Sequence, residues 1–325
     1  MSHVLVIGAA GMIGRKLVER LVADGQVAGK TITRLTLADV VEPEHPAGLA
    51  LPVTSIATDF SAPGEAERLI AHAPDVIFHL AAIVSGEAEA DFEKGYRINL
   101  DGTRLLLEAI RFAGDGYHPR LVFASSIAVF GAPFPEMIAD TFHRTPLTSY
   151  GTQKAICELL LSDYTRRGFL DGVGIRLPTI VVRPGKPNKA ASGFFSGIIR
   201  EPLNGQEAIL PVETDVLHWM ASPRAAVGFL LHAAEIDSDR IGADRGLTMP
   251  GLAVTVQEEI DTLSKLAGPE RTRLIKREPD ATIRRIVAGW PRSFDAGRAK
   301  GLGFKADKSF EEIVRAYIED EGIRL

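Results

Sequence analysis

At 325 residues, 46% hydrophobic and 24% charged, the chain is long enough to bury a substantial core as one large domain or two modest ones. Its net charge of −5 offers no basic field for nucleic acid or anionic lipid, and no apolar run approaches the length that spans a bilayer. The opening MSHVLVIGAAGMIG enters a strand without a basic leader or cleavage site, so a cytoplasmic location is expected. A single cysteine, Cys157, excludes an intramolecular disulfide, and no Cys/His group has metal-ligand spacing, so no metal site is expected.

In chain order, HVLVIG, RLTLADV, VTSIATD, DVIFHLAA and RLVFASS read as strands too continuously apolar for burial on one face. MIGRKLVERLVADG, closed by Gly25, and PGEAERLIAHAP read as helices between them. This alternation predicts an α/β fold with a doubly wound parallel sheet of the Rossmann type. A longer helix is predicted over Asp91 to Ala113, because Phe92, Tyr96, Asn99, Thr103, Leu106, Ile110 and Ala113 recur at steps of three and four. YGTQKAICELLLSDYTRRG reads as another helix, and GVGIRLPTIVVRPG as a further buried strand with its exit loop. From Gly185 onward Pro, Gly and Asn punctuate shorter elements. The expected division is a dinucleotide-binding domain over 1–184 and a smaller substrate-binding lobe over 185–325, with some elements returning to the first.

Gly8, Gly11 and Gly14 follow the first strand, with Met12 and Ile13 opening the next helix. Glycines there permit a tight turn and bring backbone N–H groups against a pyrophosphate, with the helix dipole behind them. The spacing is GxxGxxG, a variant of GxGxxG. Asp39 ends the next strand, where a carboxylate accepts from ribose hydroxyls and repels a 2′-phosphate. NAD is thereby favoured over NADP; the bland alternative for Asp39 is a turn residue.

Ser125 and Ser126 end the strand LVFASS, at the sheet edge where open α/β folds hold ligands, and Tyr150 and Lys154 stand four apart on one helix face. With GAAGMIG, FHLAA, RINLDGT, SSIAVFG, YGTQK and the tail GLGFKADKSFEEIV, the chain resembles the extended short-chain dehydrogenase/reductase family over nearly its whole length. The resemblance implies that Ser126, rather than its neighbour Ser125, is the catalytic hydroxyl, beside Tyr150 and Lys154. It places Asp59 against the adenine, and Leu80, Ala81 and Ala82 along the dinucleotide path. Tyr150 would take the substrate hydroxyl's proton, Ser126 would hold the reacting oxygen, and Lys154 would contact the nicotinamide ribose. A phenolate at neutral pH needs a shift of roughly 3 units, or about 4 kcal/mol, which Lys154 and a cationic nicotinamide can supply. Asn99 is read either as ordering water behind Lys154 or as a satisfied buried amide. His79, inside a strand, is read as a structural histidine.

Departures from the family pattern narrow the chemistry. Ile127 and Ala128 stand where dehydratases carry an acidic pair, which disfavours dehydration. Thr179 and Leu217 stand where nucleotide-sugar enzymes carry diphosphate donors, which points to a smaller substrate. Arg183, with Lys186 and Asn188, clusters beyond the strand ends, where an arginine fork suits a carboxylate. RLPTIVVRPGKPN most resembles the family's dehydrogenases of four-carbon sugar acids, which oxidise a 2-hydroxyl to a 2-oxo acid. The alternatives are a nucleotide-diphosphate-sugar 4-epimerase and a non-catalytic NAD sensor. The expected partner is a small-molecule substrate, with no nucleic acid or membrane. Family resemblance also implies a homodimer through a four-helix interface of the Asp91 to Ala113 and Tyr150 to Arg167 helices.

Overall fold

The structure is a computed structural model that describes residues 1–46, 51–114, 116–185 and 191–325. Strand β1 (Ser2–Ile7) runs into helix α1 (Met12–Asp24), which stops where Gly25 adopts a left-handed φ of 61° and returns its N–H to Leu21. The short strand β2 (Gln26–Val27) precedes β3 (Lys30–Asp39), β4 (Val53–Ala57) and β5 (Val76–His79). A helical run then passes through a π-turn at Tyr96–Asp101 into α2 (Gly102–Phe112). Strand β6 (Arg120–Ser126), helix α3 (Ser149–Arg166), β7 (Asp171–Leu177) and the short β8 (Thr179–Ile180) follow.

In the second half, α4 (Gly193–Leu203), β9 (Ala208–Leu210), β10 (Leu217–Ala221) and α5 (Pro223–Glu235) lead to β11 (Gly246–Thr248), β12 (Leu252–Thr255) and α6 (Val256–Ala267). The chain closes with β13 (Ile275–Arg277) and α7 (Phe310–Asp320).

Among the described residues eight strands form one sheet in the order β11-β7-β6-β5-β1-β3-β2, with β4 also on β3. All its pairings are parallel except that of β2 with β3. Alternation along β1 sends Val4 and Val6 into one core layer with Leu17, Leu21, Phe229 and Leu230. Leu5 and Ile7 enter the opposite layer with Leu106, Ile110 and Leu161. Burial on both faces explains the continuous apolar runs, and β4 departs from that expectation. Paired on one side only, it is half-buried to exposed along its length.

Neighbours β3 and β5 flank β1, so the chain winds away from β1 in both directions and leaves a crevice at the strands' carboxyl ends. A second core gathers Phe195, Ile198, Ile199, Val254, Leu263 and Ile313 from the later segment. That segment also returns to the first sheet, because β11 pairs with β7 and α5 lies over the Val122 and Val173 face. Lys186 and Asn188 lie outside the described residues.

Candidate active site

The glycine loop at the end of β1 is packed backbone to backbone. A Cβ on Gly8 would lie 2.6 Å from the Ala81 nitrogen, and one on Gly14 would lie 2.1 Å from the Gly8 carbonyl oxygen. Gly8 also has a φ of 94°, so both its conformation and its space require glycine. The first-turn N–H groups of Met12 and Ile13 have no intrahelical acceptor, and Gly11 supplies no side-chain cap. An anion such as a pyrophosphate fits that unspent set of donors. Asp39 ties the loop to β3. Its carboxylate, half-buried, accepts from the Ala10 N–H at 2.9 Å and the Val40 N–H at 2.7 Å. Leu80 and Ala81 donate their N–H groups to the Ile7 carbonyl, which brings the exit of β5, and Ala82 after it, against the same loop. Asp59 accepts from the Ser61 N–H and hydroxyl at 3.0 and 2.5 Å and from Arg97 at 2.7 Å. Burial works to raise its pKa, but these hydrogen bonds outweigh it and hold the carboxyl below its ordinary value.

At the exit of β6 the two serines part. Ser125, 3% exposed, donates to Glu158 Oε1 at 2.5 Å, within a buried cluster in which Arg176 also grips that carboxylate at 2.8 Å. Ser126 instead accepts the Ala128 N–H at 3.1 Å and lies close enough to Tyr150 to lower the pKa of its phenol. Strand alternation thus spends one hydroxyl on structure and turns the other toward the phenol. Tyr150 opens α3, whose start is capped by the Thr148 hydroxyl. Burial pushes the phenol up to about 12, while the Ser126 hydrogen bond and the Arg183 charge pull it down.

Lys154, 2% exposed, donates to the Ala124 carbonyl at 2.8 Å, with its Nζ 5.7 Å from the centre of the Tyr150 ring. Burial lowers the Lys154 pKa to about 8, with Cys157 and Glu158 acting the other way. The Arg183 charge is among the influences that lower the Tyr150 pKa. Asn99 occupies the π-turn. Its Nδ2 donates to the Ile83 carbonyl at 3.1 Å and Gln153 Oε1 at 2.8 Å, and its Oδ1 accepts the Ile83 N–H at 2.9 Å. The amide therefore clasps the β5 exit loop to the helix that carries Tyr150 and Lys154. Its backbone carbonyl accepts from Thr103 at 2.7 Å and from the Cys157 thiol at 3.3 Å. His79 pairs with Thr103 at 2.9 Å inside the core, where burial lowers its pKa to about 3.

Beyond β8, Arg183 is half-buried, with its Nε on the Ile180 carbonyl at 2.9 Å and its charge felt by Tyr150. Thr179 and His218 meet at 2.6 Å between Thr179 Oγ1 and His218 Nε2. The imidazole stacks on Phe195 at 4.9 Å, and burial lowers its pKa to about 3, with the Pro291 carbonyl opposing and Arg183 adding to the fall.

Sequence reasoning did not find Gln153, nor the two residues of α4 that hold Arg183, Ser196 and Arg200. Gln153 stands inside the YGTQK motif itself, a usable signal, whereas Ser196 and Arg200 carry none.

The sequence model of the NAD dependent epimerase/dehydratase family matches residues 4–235. The chain is 47% identical to the D-erythronate dehydrogenase of Cupriavidus necator, over 99% of each chain. It is 42% identical to the D-erythronate dehydrogenase of Haemophilus influenzae, over 97% of this chain and 98% of that one. Among solved structures, the nucleoside-diphosphate-sugar epimerase from Agrobacterium tumefaciens is 64% identical with a TM-score of 0.97, covering 98% of this chain and 94% of that one.

Proposed function

The chain belongs to the NAD-dependent epimerase/dehydratase family, with NAD as its cofactor, and we propose that it oxidises the 2-hydroxyl of a short hydroxy sugar acid of the D-erythronate type to the 2-oxo acid. The observation that carries this reading is the placement of a half-buried arginine, Arg183, close enough to Tyr150 to lower its pKa. A carboxylate on that guanidinium brings the adjacent hydroxyl carbon to Ser126 and Tyr150. Tyr150 accepts the hydroxyl proton at its Oη, Ser126 holds the reacting oxygen, and Lys154 fixes the ribose side of the site. NAD, when bound, supplies the hydride acceptor. The glycine loop with Met12 and Ile13 holds the pyrophosphate, Asp39 the adenosine ribose, and Leu80, Ala81 and Ala82 the path between them. In this reading Asp59 borders the adenine and Asn99 positions the catalytic helix. The two erythronate dehydrogenases, similar over nearly their full length, support the substrate class.

Similarity to the Agrobacterium nucleoside-diphosphate-sugar epimerase favours a second reading, a nucleotide-diphosphate-sugar epimerase. Against it stands the Thr179–His218 pair, which offers a diphosphate one hydroxyl and a neutral ring. The test is an NADH-formation assay on purified protein over the stereoisomers of four-carbon hydroxy acids, run beside an epimerisation assay on nucleotide sugars. Turnover of an erythronate-type acid is expected. Epimerisation without any acid-dependent NADH would overturn the assignment. We further propose that the protein pairs through α2 and α3, whose exposed Phe112 and Leu159 supply apolar surface. Among the described residues no helix is long and apolar enough to cross a membrane.

A further inference from the structure

One helix holds the Arg183 backbone from both sides. The Arg183 N–H donates to Ser196 Oγ at 3.0 Å, and its carbonyl accepts from Arg200 Nη1 at 2.8 Å. Ser196 and Arg200 are four residues apart on one face of α4, and only 1% and 7% exposed. The second arm of Arg200 donates to Glu201 Oε1 at 2.5 Å, and the Asn204 amide donates to the Arg200 carbonyl at 2.8 Å. The Arg200 guanidinium therefore cannot swing away without leaving a buried carboxylate uncompensated. Packing alone does not need this arrangement, because Phe194, Phe195, Ile198, Ile199 and Leu203 already seat the helix in the second core. Strand pairing of β8 ends at Ile180, so at Arg183 the chain has left the sheet. A buried hydroxyl and a buried guanidinium take over the role that strand partners play elsewhere.

We propose that Ser196 and Arg200 are positioning residues that clamp the peptide groups of Arg183, so that its guanidinium meets the substrate carboxylate beside Tyr150. The inference rests on the carboxylate reading of Arg183 given above. An arginine side chain is long and flexible, and its fork selects geometry only if its root is fixed. A loosened root costs affinity for the acid, because the guanidinium must then be ordered when the acid binds. It leaves NAD binding, built on the glycine loop, untouched.

Ser196→Ala is made in the wild-type and in the Arg183→Ala background, and steady-state constants are measured with the erythronate-type acid and NAD. In the wild-type background the KM for the acid is expected to rise about fivefold with kcat and the KM for NAD within about twofold, the scale of one lost neutral hydrogen bond. In the Arg183→Ala background the same change should move the KM less than about twofold, because the clamp has nothing left to position. Equal rises in both backgrounds, or no rise in the first while Arg183→Ala itself raises the KM, would overturn the clamp and leave the carboxylate reading standing. If Arg183→Ala leaves the KM unchanged, the carboxylate reading falls and takes the clamp with it. Arg200→Lys, measured in the same two backgrounds, follows the same criteria and decides the matter if Ser196→Ala does not fold by urea unfolding.

Discussion

The Tyr150 phenol stands under opposed influences, and the balance sets what the site can do. Burial raises its pKa to about 12, against the Ser126 hydrogen bond and the Arg183 charge. In the free protein the phenol is thus held in its protonated form, and in the proposed mechanism the positive charge of bound oxidised nicotinamide would bring proton acceptance within reach. Tyr150→Phe keeps the ring and loses the acceptor. Turnover should fall by roughly two to four orders of magnitude while NAD affinity, read by titration, stays near that of the wild type. The pH dependence follows with a definite sign. Loss of the phenolic proton activates the site, so kcat/KM at saturating NAD should rise with pH. Arg183→Gln removes one of the two influences that lower the phenol's pKa, the anion loses a cationic neighbour, and the rising limb should move to higher pH. A limb that stays in place, or moves down, would contradict the placement of Arg183. At this scale the sequence is informative wherever chemistry is local in the chain. Tyr150 and Lys154 share a helix face, and motif position separates Ser126 from Ser125. The contact that occupies Ser125, with Glu158, spans 33 residues and has no sequence signature.

Among the elements, the strand-to-helix turn after β1 was the most legible, since a glycine loop needs glycine for reasons that depend on nearby backbone. Gly14 offers the sharpest check. A methyl group there meets the Gly8 carbonyl at 2.1 Å and the Ala9 Cα at 2.8 Å, both main-chain atoms that no rotamer change can move. Gly14→Ala should therefore open the loop, costing about 1–3 kcal/mol of stability. NAD affinity should fall by at least about tenfold, since phosphate contacts demand placement to a fraction of an ångström. Gly11→Ala, whose nearest contact would be 3.3 Å, should be much milder by the same calorimetric titration. The predicted helix over Asp91 to Ala113 is present as a helical run from Phe92 to Phe112, but the face it buries is not throughout the one its periodicity gives. Asn99, Thr103, Leu106 and Ile110 are buried as expected, but Phe92 is 58% exposed and Ala113 faces solvent. The π-turn at Tyr96–Asp101 resets the helical phase between Phe92 and Asn99. Steps of three and four residues look the same with or without such a turn. Its position coincides with the Asn99 clasp onto Ile83 and Gln153, which are contacts of tertiary origin.

Across the whole molecule, a second core gathers side chains from Val181 onward, and nothing in the local composition shows how the chain then returns to the first. Helix α5 buries Phe229 and Leu230 in the core layer it shares with β6 and β7, and β11 adds Leu247 beside β7, with Met249 just after it. These four side chains, at roughly 1.5–3 kcal/mol each for full burial, amount to about 6–12 kcal/mol. That sum is comparable with the whole stability of a typical domain, about 5–15 kcal/mol. A chain truncated after Pro184 would keep every residue assigned here to the cofactor and to catalysis, yet it would expose the Val122 and Val173 face and the open edge of β7. It should therefore show no cooperative thermal transition, elute as aggregate in size exclusion, and fail to bind NAD even at millimolar excess, where ligand linkage adds only a few kcal/mol. Extending the chain through Met249 should restore part of the sheet's protection in hydrogen exchange, beginning with β7, whose amides face β11. If the truncated chain melts cooperatively and binds NAD within about tenfold of the full protein, the first core is self-sufficient, and the burial of Phe229, Leu230, Leu247 and Met249 contributes far less than their area implies.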